Sequence, residues 1–128
     1  MSAADNKQFI RGFVEALSGK PKPAAKLDLY MSDTALKERI LWAESAFPNY
    51  RLEIDDLIAE DDQVWLRGRV RGKQLGPFQE MPPSGKPVEY AIVLTYRVAE
   101  GKIVDHWLLS DGLVLMQQLG ALPAPVGD

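Results

Sequence analysis

His106 is the only histidine in the chain and the only side chain whose ordinary pKa lies near neutrality. Beside a carbonyl compound, its imidazole could act as a general base and take an acidic proton. A lone histidine can instead be structural, buried and hydrogen-bonded to backbone or to a carboxylate. The residues alone leave both uses open. Asp111 and Asp33 pose a similar choice between accepting a proton and capping the helix that follows, a cap being worth about 1 kcal/mol. There are no cysteines, which excludes a thiolate nucleophile, a disulfide framework and a thiolate metal site.

These residues need elements to hold them. Phe9, Ile10, Phe13, Val14 and Leu17 recur at helical spacing, with Asp5 as the expected cap and Gly19 as the stop. Lys20-Pro21-Lys22-Pro23 is a stiff break, and a short helical piece is expected over Ala24–Tyr30. Ser32 or Asp33 caps a longer helix with Leu36, Ile40, Ala43, Glu44 and Phe47 on one face, ended by Pro48-Asn49. Strand patterns follow. Tyr50, Leu52 and Ile54 alternate with charged residues, and after a polar turn at Glu60-Asp61-Asp62 the residues Val64, Leu66, Gly68 and Val70 alternate with Trp65, Arg67, Arg69 and Arg71. The first of these sets is expected to face the core, and the tryptophan–arginine set to face water or a partner subunit. A loop spans Gln74–Lys86. Strands near Val88–Val98 and Lys102–Leu109 form a hairpin about Glu100-Gly101. Asp111 begins a last helix, with Leu113, Met116 and Gln117 on adjoining faces, and Gly120 ends it. Residues 121–128 read as a loose tail.

Helices first and antiparallel strands after make an α+β fold, with helices on one face of a curved sheet and a cone-shaped cavity between them. Leu66, Gly68, Tyr90, Ile92, Leu94, Tyr96 and Leu108 would line it. Gly68 would leave room beside bulky neighbours, Gln74 could add a polar contact at the rim, and Phe78 and Met81 could form a lid or a core edge.

Five stretches in order resemble one family. They are Phe47-Pro48-Asn49, Asp56-Leu57-Ile58-Ala59-Glu60, Met81-Pro82-Pro83-Ser84-Gly85-Lys86, Gly101-Lys102-Ile103-Val104-Asp105-His106-Trp107 and Gln117-Gln118-Leu119-Gly120. The chain is similar over nearly its whole length to the SnoaL-like polyketide cyclases of the NTF2-like (cystatin-like) superfamily. Between Leu17 and Leu36 it is shorter than the family's usual pattern. The resemblance implies an NTF2-like cone and ring closure by intramolecular aldol condensation, with no cofactor and no metal. It also implies a homodimer built on the sheet face. The acid/base pair of the family would fall at Leu94 and Leu108. Leucine moves no proton, so the mechanism does not carry over residue by residue.

With 46% hydrophobic and 26% charged residues, the 128-residue chain reads as one domain, residues 1–128. A net charge of -3 argues against a nucleic-acid partner. No apolar run reaches the roughly 18 residues of a membrane span. Met1–Asp5 lacks the basic and apolar regions of a signal peptide, so a cytoplasmic location is expected. Three functions fit: a cofactor-independent enzyme on a small hydrophobic carbonyl compound with His106 as its base, a non-catalytic binding module that kept the pocket, or a structural dimer subunit.

Overall fold

Ser2 starts the first helix. The computed structural model describes residues 2–123, so most of the expected loose tail, residues 124–128, lies outside the described residues. Helix α1 runs Ala3–Leu17. The Ser2 hydroxyl accepts from the Asp5 N–H, and the Asp5 carboxylate accepts from the Ser2 N–H, a reciprocal capping box. Asp5 is thus the third helical residue and not the cap. Both residue types suit the cap, and the reciprocal pair works only with serine first. Ile10, Phe13, Val14 and Leu17 are buried, as the spacing requires. Gly19 follows with a φ of 73° and donates its N–H to the Tyr50 carbonyl.

The single-turn helix α2 covers Ala24–Leu27, shorter than expected, and the chain then passes Tyr30–Asp33 along the sheet. Asp33 caps α3, Thr34–Ala46, accepting from the Leu36 N–H at 3.0 Å. Four antiparallel strands lie in chain order: β1 (Arg51–Glu60), β2 (Gln63–Lys73), β3 (Pro87–Ala99) and β4 (Lys102–Ser110). Alternation predicts the inner face of β2 and β3 well, with Val64, Leu66, Val70, Ile92, Leu94, Tyr96 and Val98 all buried. In β1 the alternation changes phase. Pairing jumps from Ile54↔Gly68 to Asp56↔Arg67, a bulge at Asp55 that lets both Ile54 and Leu57 face inward. A second bulge in β4 pairs Val98 with Ile103. Glu100 and Gly101 both take positive φ, 51° and 76°, the backbone of a tight hairpin turn.

The main core joins α1, α2 and α3 to the inner sheet face. A second cluster of Ala46, Phe47, Phe78, Val88, Leu115 and Leu119 closes one end. Helix α4, Gly112–Gln118, is capped by Asp111, whose carboxylate accepts from the Val114 N–H at 3.1 Å. It buries Leu115 and the following Leu119, while Leu113 stays 60% exposed. Seven residues are too few for apolar spacing to fix a helix's rotation.

Candidate functional site

A cavity of about 170 Å³ lies between α1, α3 and the sheet. Its apolar wall comes from Phe13, Val14 and Leu17 of α1, from Leu36, Ile40 and Ala43 of α3, and from sheet residues including Ile92, Leu94 and Leu108. The strand period of two sets Tyr90, Ile92, Leu94 and Tyr96 on one face of β3, and all four reach the cavity. Leu94 and Leu108 are direct cross-strand partners.

The polar part of the wall is larger than expected. Tyr50, Tyr90 and Tyr96 line it together with Ser18, Lys22, Arg39 and Ser110. Loss of hydration pushes the Tyr90 phenol up to about 12. Burial raises Tyr50 further, with help from neighbouring Tyr90 and Glu44, and burial raises Tyr96 most, assisted by Tyr50. All three are therefore neutral hydrogen-bonding groups near neutrality, and none is a base.

Lys22 serves as a clamp. Its side chain is only 3% exposed. The ammonium donates to the Lys20 and Tyr50 carbonyls, each at 2.9 Å, and meets Glu44 at 3.3 Å. It also sits 4.1 Å from the Tyr50 ring centroid, within cation–π range. Burial lowers its pKa and Glu44 opposes that shift. Its three donors are all used, so Lys22 fixes Tyr50 and presents no free amine to the cavity.

His106 shares the inner face of β4 with Leu108 but does not line the cavity. Its Nδ1 lies 2.6 Å from Asp33 Oδ2, and both side chains are 8% exposed. Asp33 Oδ1 meanwhile caps α3. One carboxylate therefore ties the start of α3 to the edge strand, and the imidazole is held away from the cavity. Asp105 joins His106 and Asp33 in a cluster within 4.8 Å. Its carboxylate already accepts from the His106 N–H, so the donor atoms of this cluster serve the fold.

The other expected site residues separate. Tyr90, Ile92, Leu94 and Leu108 come together on the wall, whereas Leu66 is buried in the main core. Gly68 does not open space in the cavity. A Cβ there would lie 2.2 Å from the Glu53 carbonyl oxygen, so glycine is required by the close approach of β1 beside its bulge. Gln74 is neither solvated nor at the rim. It is 1% exposed, accepts from the Ser84 hydroxyl at 2.6 Å and donates to the Pro82 carbonyl at 3.1 Å, which folds the 74–86 loop around it. Phe78 and Met81 pack in the second core cluster, with the Phe78 ring 5.2 Å from Trp42. Asp111 only caps α4.

Sequence reasoning overlooked Lys22, Arg39 and Trp42. Arg39 left a trace: it follows Leu36 by three residues and so falls on the inward stripe of α3. Lys22 left none.

The sequence profile of the SnoaL-like polyketide cyclases matches residues 7–119. No curated protein matches the chain. Among solved structures, AclR of Streptomyces galilaeus aligns with a TM-score of 0.84 at 26% identity, over 97% of this chain and 86% of that one. TsrD of Streptomyces laurentii aligns at 0.78 and 26% identity, over 95% and 99%. A candidate SnoaL-like polyketide cyclase of Jannaschia sp. CCS1 aligns at 0.79 and 20% identity, over 94% and 95%, which is a likeness of fold. Helices on one face of a curved four-stranded antiparallel sheet are the NTF2-like cone of these neighbours.

Proposed function

The chain belongs to the SnoaL-like polyketide cyclase family, and from that premise we propose that its cavity binds a small hydrophobic carbonyl compound through tyrosine hydroxyls. The observation that carries this reading is the wall itself: three protonated phenols around an apolar space, with Leu94 facing Leu108 where the family's proton-moving pair would stand. Phenols in a desolvated cavity gain more from donating to a carbonyl oxygen than they would in water. The volume suits a single ring, since an apolar cavity of roughly 150 Å³ takes up benzene.

Binding is supported over aldol ring closure because the leucines carry no proton and the His106 imidazole is engaged elsewhere. A second reading, catalysis in which solvent water or hydroxide takes the proton beside the carbonyl, draws on the same phenols. Preorganised donors at a carbonyl oxygen are the arrangement that stabilises an enolate.

Calorimetric titration with acetophenone and with ethylbenzene, its analogue without oxygen, tests the first reading. The ketone is expected to bind about tenfold more tightly, with Tyr90→Phe or Tyr96→Phe removing the difference. Failure of the ketone to bind at millimolar concentration would end it. The second reading predicts that the protein accelerates exchange of the ketone's methyl protons for deuterium, seen by NMR.

The outer sheet face supports a second copy of this chain as partner. Ile58, Trp65, Thr95 and Trp107 pair in one row across all four strands, and Ile58, Trp65 and Trp107 are 65%, 49% and 54% exposed. Beside this row, Arg69 and Arg71 are matched by Glu53, Asp55 and Glu89. The charges are thus already paired and would not be orphaned under a partner. An apolar row rich in tryptophan and flanked by arginine has the composition of an interface.

A further inference from the structure

Arg39 occupies an unusual place on α3. The cavity-facing stripe of that helix runs Leu36, Arg39, Ile40, Ala43, the i, i+3, i+4, i+7 positions that a core-packing helix fills with apolar residues. Arg39 is exposed and yet is one of the residues on the cavity wall, beside half-exposed Trp42. Arg67, Arg69, Arg71 and Arg97 each meet a carboxylate. Arg39 makes no ion pair among the described residues. Arg11 and Arg51 make none either, but neither lines the cavity.

The charge of the wall is one-sided. Among the described residues no aspartate or glutamate lines the cavity, although the chain carries a net charge of -3. Its two cationic residues are Lys22, already neutralised by Glu44, and Arg39. Among the described residues the wall therefore presents one uncompensated positive charge, at the exposed side of an otherwise apolar and phenolic space. A planar guanidinium favours a carboxylate, which it can bind through two parallel hydrogen bonds.

We infer that the ligand is a small amphipathic oxo acid, whose apolar body and carbonyl enter the cavity while its carboxylate stays at the mouth against Arg39. The inference rests on the reading of the cavity as a carbonyl site and narrows its ligand class from neutral ketones and esters to anions.

Phenylpyruvate and its methyl ester share a ring and a ketone and differ in the charge. Calorimetric titration of the full chain at neutral pH and low salt is expected to give about tenfold tighter binding of the acid. The preference should shrink as salt is raised. Arg39→Met is expected to weaken the acid about tenfold and to leave the ester within about twofold, while Arg39→Lys recovers part of the loss. The variants are at an exposed helical position and should fold normally, which far-UV circular dichroism checks. Equal binding of acid and ester, or undiminished binding of the acid by Arg39→Met, overturns the carboxylate inference and leaves the carbonyl reading standing. Binding of neither probe overturns both.

Discussion

Breaking the His106–Asp33 bond leaves a carboxylate in a site nearly closed to water. His106→Gln is expected to lower unfolding free energy by about 1–3 kcal/mol, measured by urea denaturation, while acetophenone affinity stays unchanged. Asp33→Asn keeps a competent helix cap and isolates the loss of the carboxylate beside the imidazole. An altered affinity in the histidine variant would connect the pair to the cavity after all. The phenols predict a pH effect. Unfolded tyrosine ionises near 10, whereas Tyr90 holds its proton to about 12 and Tyr50 and Tyr96 are raised as well. Above about pH 10 the unfolded chain releases protons that the folded chain keeps, so stability is complete below that pH and falls as pH climbs through the raised values. Lys22, lowered by burial, acts in the opposite sense below its ordinary 10.5. Ultraviolet absorbance and denaturation between about pH 9 and 12 follow both. At this scale parity in the sequence correctly puts His106 on the inner face. What it cannot show is Asp33, 73 residues away, waiting at the edge. Nor can a buried Gln74 be told from a solvated one, since its partners are the carbonyls of a loop whose path is not written in any single residue.

Among the elements, β2 and β3 are legible because one buried face imposes a period of two over eleven and thirteen residues. β1 slips out of phase at Asp55 because a bulge is a backbone event with little mark on side-chain types. Gly68 pays for that bulge, and two glycine replacements separate the effects. Gly68→Ala drives a methyl against the Glu53 carbonyl at 2.2 Å and is expected to cost about 1–3 kcal/mol, because backbone must move. Gly12→Ala, exposed on α1 with nothing within 4 Å, is expected to stabilise by about 1 kcal/mol through helix propensity. Thermal denaturation of the two variants measures the contrast. A neutral Gly68→Ala would mean that β1 and β2 can separate freely at the bulge.

For the whole molecule, the tryptophan row makes the sharpest forecast. Light scattering at micromolar concentration is expected to give about twice the 14.3 kDa chain mass. Trp65→Glu combined with Trp107→Glu is expected to give a folded monomer. A wild-type chain that is monomeric throughout that range removes the second copy. The alternation of tryptophan and arginine along β2 made this face legible in the sequence, whereas the row across four strands needed the register. The two edges of the sheet bear on what happens beyond a pair. Along β1, the Ser18 hydroxyl accepts from Leu52 and the Gly19 N–H occupies the Tyr50 carbonyl. Along β4, Ile103 exchanges hydrogen bonds with Tyr30, Ser32 and Asp33. Each border strand thus already spends backbone groups at one end on its own chain, and the acidic kink at Asp55 interrupts β1 beyond that. Growth by adding strand to strand, the route into fibrils, therefore meets an interrupted template at one end of each border strand, and crowding or overexpression should seed fibrils less readily than two bare edges would.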